Sequence, residues 1–271
     1  MKIFKNKLKL QKEIANGFCI SFVPTMGGLH KGHISLIKKA QNFKCKILVS
    51  IFVNPKQFNK KNDFQNYPRN INNDIKVLRK HRVDYLYIPS YKEIYGFKPK
   101  NKVYLNKFSK QLCGKLRKGH FKGVLNVVNR LLEIIKPKYI YLGLKDFQQL
   151  TLINLHIIKN KINTKVIQCK TVRDKNGVAC STRNFNLNNE ELKIASNVHK
   201  YLFNLKSKIK NSLNIFDINN LKKVLISFGV NKIDYIENIN LKSLKKEKKS
   251  NNKSKIFVAY YIKNIRLIDN I

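Results

Sequence analysis

The chain reads as an α/β protein: a Rossmann-like, doubly wound parallel sheet followed by a smaller C-terminal α+β domain. Three observations predict it. Short apolar, β-rich runs alternate with helix-length stretches of amphipathic periodicity over the first two thirds of the chain. Polar, glycine-bearing loops follow those runs, at the strand ends where doubly wound sheets bind ligands. From about Thr171 the texture changes to a hairpin, a long helix and three further strands. The expected domains are therefore 1–171 and 172–271, with a hinge near Val172.

In chain order, FCISFV (18–23) is the first strand expected, and it runs into Pro-Thr-Met-Gly-Gly before an amphipathic segment at 33–41. Gly27 and Gly28 let the backbone approach a ligand that a side chain would block. Free N–H groups and the positive end of the following helix favour phosphate. His30 and His33, three apart, share one side of the first helical turn and can reach the same anion. This strand–turn–helix predicts a nucleotide site with chemistry on the phosphates. It matches neither the dinucleotide fingerprint nor the P-loop. A metal pair is the alternative for HxxH, but no HExxH pattern is present and no Cys or carboxylate nearby completes a site. A plain turn with solvated histidines is the other.

KILVSIFV (46–53) predicts the next strand, and NPKQF follows it, with Asn54 and Gln57 able to bond hydroxyls and carboxylates, or else forming an Asn-Pro turn with a solvated Gln. A helix at 73–81, a strand at 84–89 and a helix at 121–136 come next. The strand KYIYLG (138–143) then ends in GLKDFQQL. There Gly143 permits close approach and Lys145 supplies a point cation for phosphate. Asp146 can cap the helix at 144–160 or accept from a ribose hydroxyl, while Gln149 faces back toward the strand ends. Asn176-Gly177 marks a hairpin turn. CSTR at 180–183 places two hydroxyls and a guanidinium just beyond it, suited to clamping phosphate oxygens. NNEELKIASNVHKYLFNLKSKIK is a long helix, and the tail adds a helix and strands at IDYIENI, KIFVAYYI and IRLIDNI.

No apolar stretch is long enough to cross a bilayer, and the start lacks a secretory apolar core, so a cytoplasmic location is expected. Five scattered cysteines without CxxC spacing predict free thiols in a reducing compartment. The net charge of +41 would suit nucleic acid, but the lysines are spread along the chain beside Asn and Ile. That pattern fits the codon bias of an AT-rich genome, and no RNP motif, zinc knuckle or helix-turn-helix accompanies it. The densest basic run, 241–255, is expected to be a flexible loop between two strands. No specific nucleic-acid or membrane partner is predicted.

Together PTMGGLHKGHISL, SIFVNPKQF, DFQNYPR, GHFKGVLNVV, GLKDFQQL, TVRDKNGVACSTRNFNL and the tail DYIEN…FVAYYIKNIRLIDNI resemble, end to end, the pantoate–β-alanine ligase family of HIGH-motif nucleotidyltransferases. HKGH then stands for the HIGH signature and CSTR for the KMSKS loop. The resemblance implies that pantoate attacks the α-phosphorus of ATP, and that β-alanine then takes the acyl group from the adenylate. ATP is a substrate, Mg2+ accompanies it, and the family precedent is a homodimer. Met26, Gly27, Gly28, Leu29, His30, Lys31, Gly32 and His33 would form the ATP-binding turn, with His33 the catalytic proton donor and bound triphosphate offsetting the penalty for protonating it. Gly143, Leu144, Lys145 and Asp146 would hold ribose and phosphates. Val172 would lie against adenine, with Cys180, Ser181, Thr182 and Arg183 closing over the triphosphate. Gln57 and Gln149 would grip pantoate.

Some positions depart from the family pattern. Leu144 stands where Glu is usual, Thr182 where Ser is, and Cys180 where Met is, which makes packing the reading for Cys180. Asn73 replaces an acidic residue beside Asp74, so the protein ligands of the metal are left open. Arg117 and His120 either cover the site or belong to a basic surface loop. The rivals are a nucleotidyltransferase of the same fold acting on a phosphorylated alcohol, and a basic nucleic-acid-binding protein without catalysis. The paired glutamines argue against the first; the histidines, Lys145 and the hydroxyl-rich loop argue against the second.

Overall fold

The computed structural model describes residues 1–15, 17–59, 61–210, 217–247 and 252–271, without the side chains of 209 and 210. The chain forms two compact units, Met1–Lys170 and Thr171–Ile271. The first contains β1 (Lys2–Phe4), α1 (Lys7–Ile14), β2 (Ile20–Thr25), α2 (Lys31–Gln41), β3 (Lys46–Ile51), α3 (Lys61–Gln65), α4 (Ile71–Lys80), β4 (Tyr85–Tyr87), α5 (Tyr91–Tyr95), α6 (Leu112–Leu116), α7 (His120–Ile135), β5 (Tyr139–Gly143), α8 (Phe147–Lys159) and β6 (Lys165–Cys169). Its sheet is wholly parallel, in the order β1-β4-β3-β2-β5-β6. This is the doubly wound class that the alternation predicts.

The order reverses between β2 and β5: the chain first winds outward through β3 and β4, then crosses back. Loops leaving the carboxyl ends of β2 and β5 therefore diverge and open a crevice, where ligands bind in such sheets. Val23, Val49, Leu86 and Tyr141 from the central strands are fully buried against Leu36, Ile37 and Leu78 of α2 and α4. Burial of such side chains is the main favourable contribution to folding. The edge strands β1 and β6 are additions to the sequence prediction; both are short and mostly solvated on one face.

The expectation of free thiols fails at one pair. Cys19 and Cys45 are joined as a disulfide, while Cys113, Cys169 and Cys180 are not disulfide-bonded. The cause is register: Ile20 pairs with Lys46 across β2 and β3, so the residues before them face each other with Cα atoms 4.8 Å apart.

The second unit packs α9 (Asn189–Lys210) and α10 (Ile218–Ser227) with an antiparallel sheet of β7 (Lys232–Asn240), β8 (Ser254–Ile262) and β9 (Ile265–Asn270). Val198, Leu202, Leu225, Ile256 and Val258 form its core. The predicted hairpin is present, with Gly177 at φ +85° in the turn and Arg173 bridging Ala179. Arg173 is held by the Asp269 carboxylate at 2.6 and 2.9 Å and donates to the carbonyls of Gly177 and Asn270. Burial alone would raise the Asp269 pKa, but hydrogen bonds from His199 and Arg173 and the Arg173 charge hold it below the usual range. Of the lysine-rich run, 248–251 lie outside the described residues; Lys246 before them bridges Ile239.

In α7 the helix meets a 3-10 turn at Pro55–Gln57 without clearance. A Cβ at Gly123 would run into the Lys56 carbonyl oxygen, a backbone atom that cannot swing away. Gly123→Ala is expected to destabilise the protein by about 1–3 kcal/mol by overpacking, read as a melting temperature lower by roughly 2–10 °C. An unchanged melt would mean that this contact is not tight.

Candidate active site

The turn after β2 is built on two left-handed glycines, Gly27 at φ +80° and Gly28 at φ +61°. Side chains there would be strained, and a Cβ on Gly27 would also sit 3.0 Å from an Asp74 oxygen. Thr25 Oγ1 donates to the Ser50 carbonyl at 2.8 Å and accepts from Gly27 N–H. Asp74, on α4 and only 1 % exposed, accepts from the N–H groups of Gly28 at 3.0 Å and Leu29 at 2.8 Å. Met26 is partly buried, and the Leu29 side chain points into the core.

This corrects the expectation that the N–H groups of the turn are free for phosphate. The chain uses them itself, because a turn buried against the sheet must satisfy its donors internally. Gly32 N–H donates to His30 Nδ1 at 3.0 Å, and His30 N–H reaches His33 Nδ1 at 3.4 Å, a capping box made of two histidines. Lys31 lies exposed between them.

With both Nδ1 atoms accepting, each ring carries its proton on Nε2 and presents a donor. The rings lie 4.1 Å apart between centroids. Burial lowers the His30 pKa to about 4, helped by the Lys145 charge and opposed by Asp146. Burial, then His30, then Lys145 lower that of His33 to about 3. Both imidazoles are neutral at physiological pH. They stand as N–H donors.

Lys145 and Asp146 extend from β5 in a 3-10 turn, Leu144–Asp146, that starts α8. Lys145 Nζ lies 3.6 Å from Asp146 Oδ1, and the Lys145 side chain is 17 % exposed. Asp146 occupies the helix N-cap position yet makes no capping bond through its side chain, so the cap alternative is not realised. At Gly143 a Cβ would meet nothing within 4 Å, which leaves open space beside the strand end. Leu144 is partly buried. Gln148 anchors α8 by donating to the carbonyls of Phe108 and Gln111, and Gln149 beside it is half-buried.

After β3 the Asn54–Gln57 turn is fixed from several sides. Asn54 Nδ2 donates to Gln57 Oε1 at 3.2 Å and to the Gly123 carbonyl at 3.1 Å, and the Tyr95 hydroxyl donates to Asn54 Oδ1 at 2.8 Å. His120 Nδ1 lies 2.7 Å from the Gln57 carbonyl, which also accepts from Arg117. Gln57 Nε2 contacts Met26 Sδ at 2.9 Å, bringing the β2 and β3 loops together. His120, only 8 % exposed, is a brace and not part of a surface loop.

In the second unit Val172 accepts from Cys180 N–H across the hairpin. Ser181 caps the 3-10 turn Thr182–Asn186 by accepting from Arg183 N–H, Thr182 is 5 % exposed, and Cys180 and Arg183 are partly buried. The sequence reading missed Asp74 and Tyr95 as site-building residues. The signal for Asp74 was its position four residues before Leu78, which puts a carboxylate on the buried face of α4. Asp74→Asn offers one acceptor where two N–H groups need it and is expected to cost about 1.5–3 kcal/mol. Amide exchange at Gly28 and Leu29 should accelerate roughly 10–100-fold as the turn opens locally; unchanged protection would show that Asp74 does not hold the turn.

A profile of the family described as pantoate–β-alanine ligase matches residues 2–271. A pantothenate synthetase of Fervidobacterium nodosum is 41% identical over 98% of this chain and 96% of its own length. The crystal structure of a Francisella tularensis pantoate–β-alanine ligase complexed with beta-gamma ATP and β-alanine is similar at a TM-score of 0.85 and 39% identity, covering 100% of this chain and 97% of that one. A pantothenate synthetase of Thermus thermophilus matches at a TM-score of 0.92 and 29% identity, over 100% and 99% of the two chains. With the fold, the histidine-capped turn and this similarity along its whole length, the chain belongs to the pantoate–β-alanine ligase family.

Proposed function

We propose that the loops at the carboxyl ends of β2, β3 and β5 hold ATP and pantoate in line for attack at the α-phosphorus. The chain is an ATP-dependent ligase that joins pantoate and β-alanine. A pantoate carboxylate oxygen attacks the α-phosphorus and pyrophosphate leaves; the β-alanine amine then attacks the acyl carbon and AMP leaves. The carboxylate is the nucleophile, so the protein's task is alignment and neutralisation of charge.

The observation that carries this reading is the cluster of two neutral, adjacent imidazoles with Lys145 beside them and Gln57 against Met26. Nε2–H donors from His30 and His33 bind triphosphate oxygens, and His33 donates where charge grows on the leaving pyrophosphate. Lys145 adds a full positive charge. The Gln57 amide, with Oε1 taken by Asn54 and one N–H on Met26 Sδ, turns its remaining N–H to an oxygen of pantoate, and Gln149 completes that grip. Gly143 and Asp146 hold the ribose, and Asp146 suits it because its carboxylate makes no cap. Val172 is assigned to adenine, and Cys180, Ser181, Thr182 and Arg183 to the phosphates.

Mg2+ fits this site as a passenger on the triphosphate. No group of three or more His, Cys, Asp or Glu that could hold a metal exists among the described residues, and both Asp74 oxygens are taken. Mg2+ is commonly held by substrate phosphates and water with few protein ligands, and it would supply further charge neutralisation. A homodimer, on family precedent, and a cytoplasmic location complete the reading; no helix among the described residues is long and apolar enough to cross a membrane.

Incubation with ATP, Mg2+ and pantoate should yield pyrophosphate, and adding β-alanine should yield AMP and pantothenate. His33→Ala and Lys145→Ala should each slow adenylate formation about 10²–10³-fold with an unchanged circular dichroism spectrum. Near-normal rates in either variant would remove that residue from the mechanism.

A further inference from the structure

The end of the sheet opposite the candidate active site carries its own chemistry. A cavity of about 270 Å3 there is lined by Cys19, Cys45, Phe18, Phe43, Lys44 and Lys46, with Asp84. Both cysteines are partly exposed, so a small reagent can reach them. The Asp84 charge is spent on Lys46 Nζ and Ile47 N–H, both at 2.9 Å, which leaves Lys44 as the cation facing an incoming ligand. The net positive charge suits an anion, and the two aromatic rings can pack against its apolar part. A neighbouring cation also favours the thiolate, the form of cysteine that reacts.

We propose that Cys19 and Cys45 are a reversible thiol–disulfide pair, oxidised through this cavity by an anionic low-molecular-weight disulfide. One cysteine thiolate attacks a sulfur of that disulfide and expels one small thiol. The second thiolate then attacks the mixed disulfide and expels the other. Two protein thiols are oxidised to one disulfide, and one small disulfide is reduced to two small thiols, so electrons and protons balance. Excess small thiol reverses both steps.

The second attack needs no rearrangement, because the parallel register holds the two Cα atoms 4.8 Å apart in the sheet itself. The bond closes a loop over a sequence separation of 26 and ties β2 to β3 below the strands that carry the glycine turn and the Asn54–Gln57 turn. Its expected consequence is resistance to unfolding, with no change in the chemistry of the site.

The test compares protein equilibrated with oxidised glutathione and with dithiothreitol. Oxidation should yield a peptide joining Cys19 to Cys45 and raise the melting temperature by roughly 5–10 °C. Dithiothreitol should reverse both changes. Cys19→Ser and Cys45→Ser should melt alike under the two conditions and at the temperature of the reduced wild type. Complete alkylation of both cysteines after the oxidised incubation, or glutathione stopped as a mixed disulfide, would overturn the proposal. So would a melting shift that persists in either serine variant.

Discussion

The carboxylate of Asp74 holds the site together. A Gly-Gly turn has the greatest conformational freedom of any dipeptide and loses the most entropy when ordered. Here two charge-assisted hydrogen bonds, to Gly28 and Leu29, fix it against the sheet from a helix elsewhere in the chain. The direction in which α2 leaves the strand depends on that turn, and the positions of both histidines depend on α2.

A second consequence concerns charge. In a chain with 56 basic residues, a site that binds triphosphate would be expected to use permanent cations throughout. Instead the turn offers two neutral N–H donors, with Lys145 the nearby charge that helps keep them neutral. A neutral imidazole that already points its Nε2–H outward needs no proton uptake before it binds an anion. Because both folded pKa values lie below the ordinary 6.5, the contribution of these rings to stability is fully present above that pH. It is lost as pH falls from there toward about 3.

What the sequence disclosed follows a physical division. The β2 turn, the NPKQF loop and the KDFQQ segment were legible because Gly, Pro and apolar periodicity act locally. The helix at 33–41 was placed two residues late, since its true start uses histidine side chains as caps. Strands β1 and β6 were hidden because edge strands bury too little to show an apolar run. Tyr95 and the Cys19–Cys45 pair were not readable, and helical spacing placed Asp74 on a buried face without naming its partners, since each acts across distances that only the assembled fold closes. The turn's N–H groups were misread for the same reason: local sequence shows that donors exist, not who consumes them.

The central claim is that His30 and His33 stand as neutral Nε2–H donors, locked by backbone N–H groups on Nδ1. Heteronuclear NMR of the two imidazoles over a pH titration tests it most directly. The account predicts the Nε2–H tautomer in both rings at neutral pH, with protonation midpoints near the lowered values of about 4 and about 3. A midpoint near the ordinary 6.5 in either ring, or a proton on Nδ1, would contradict it.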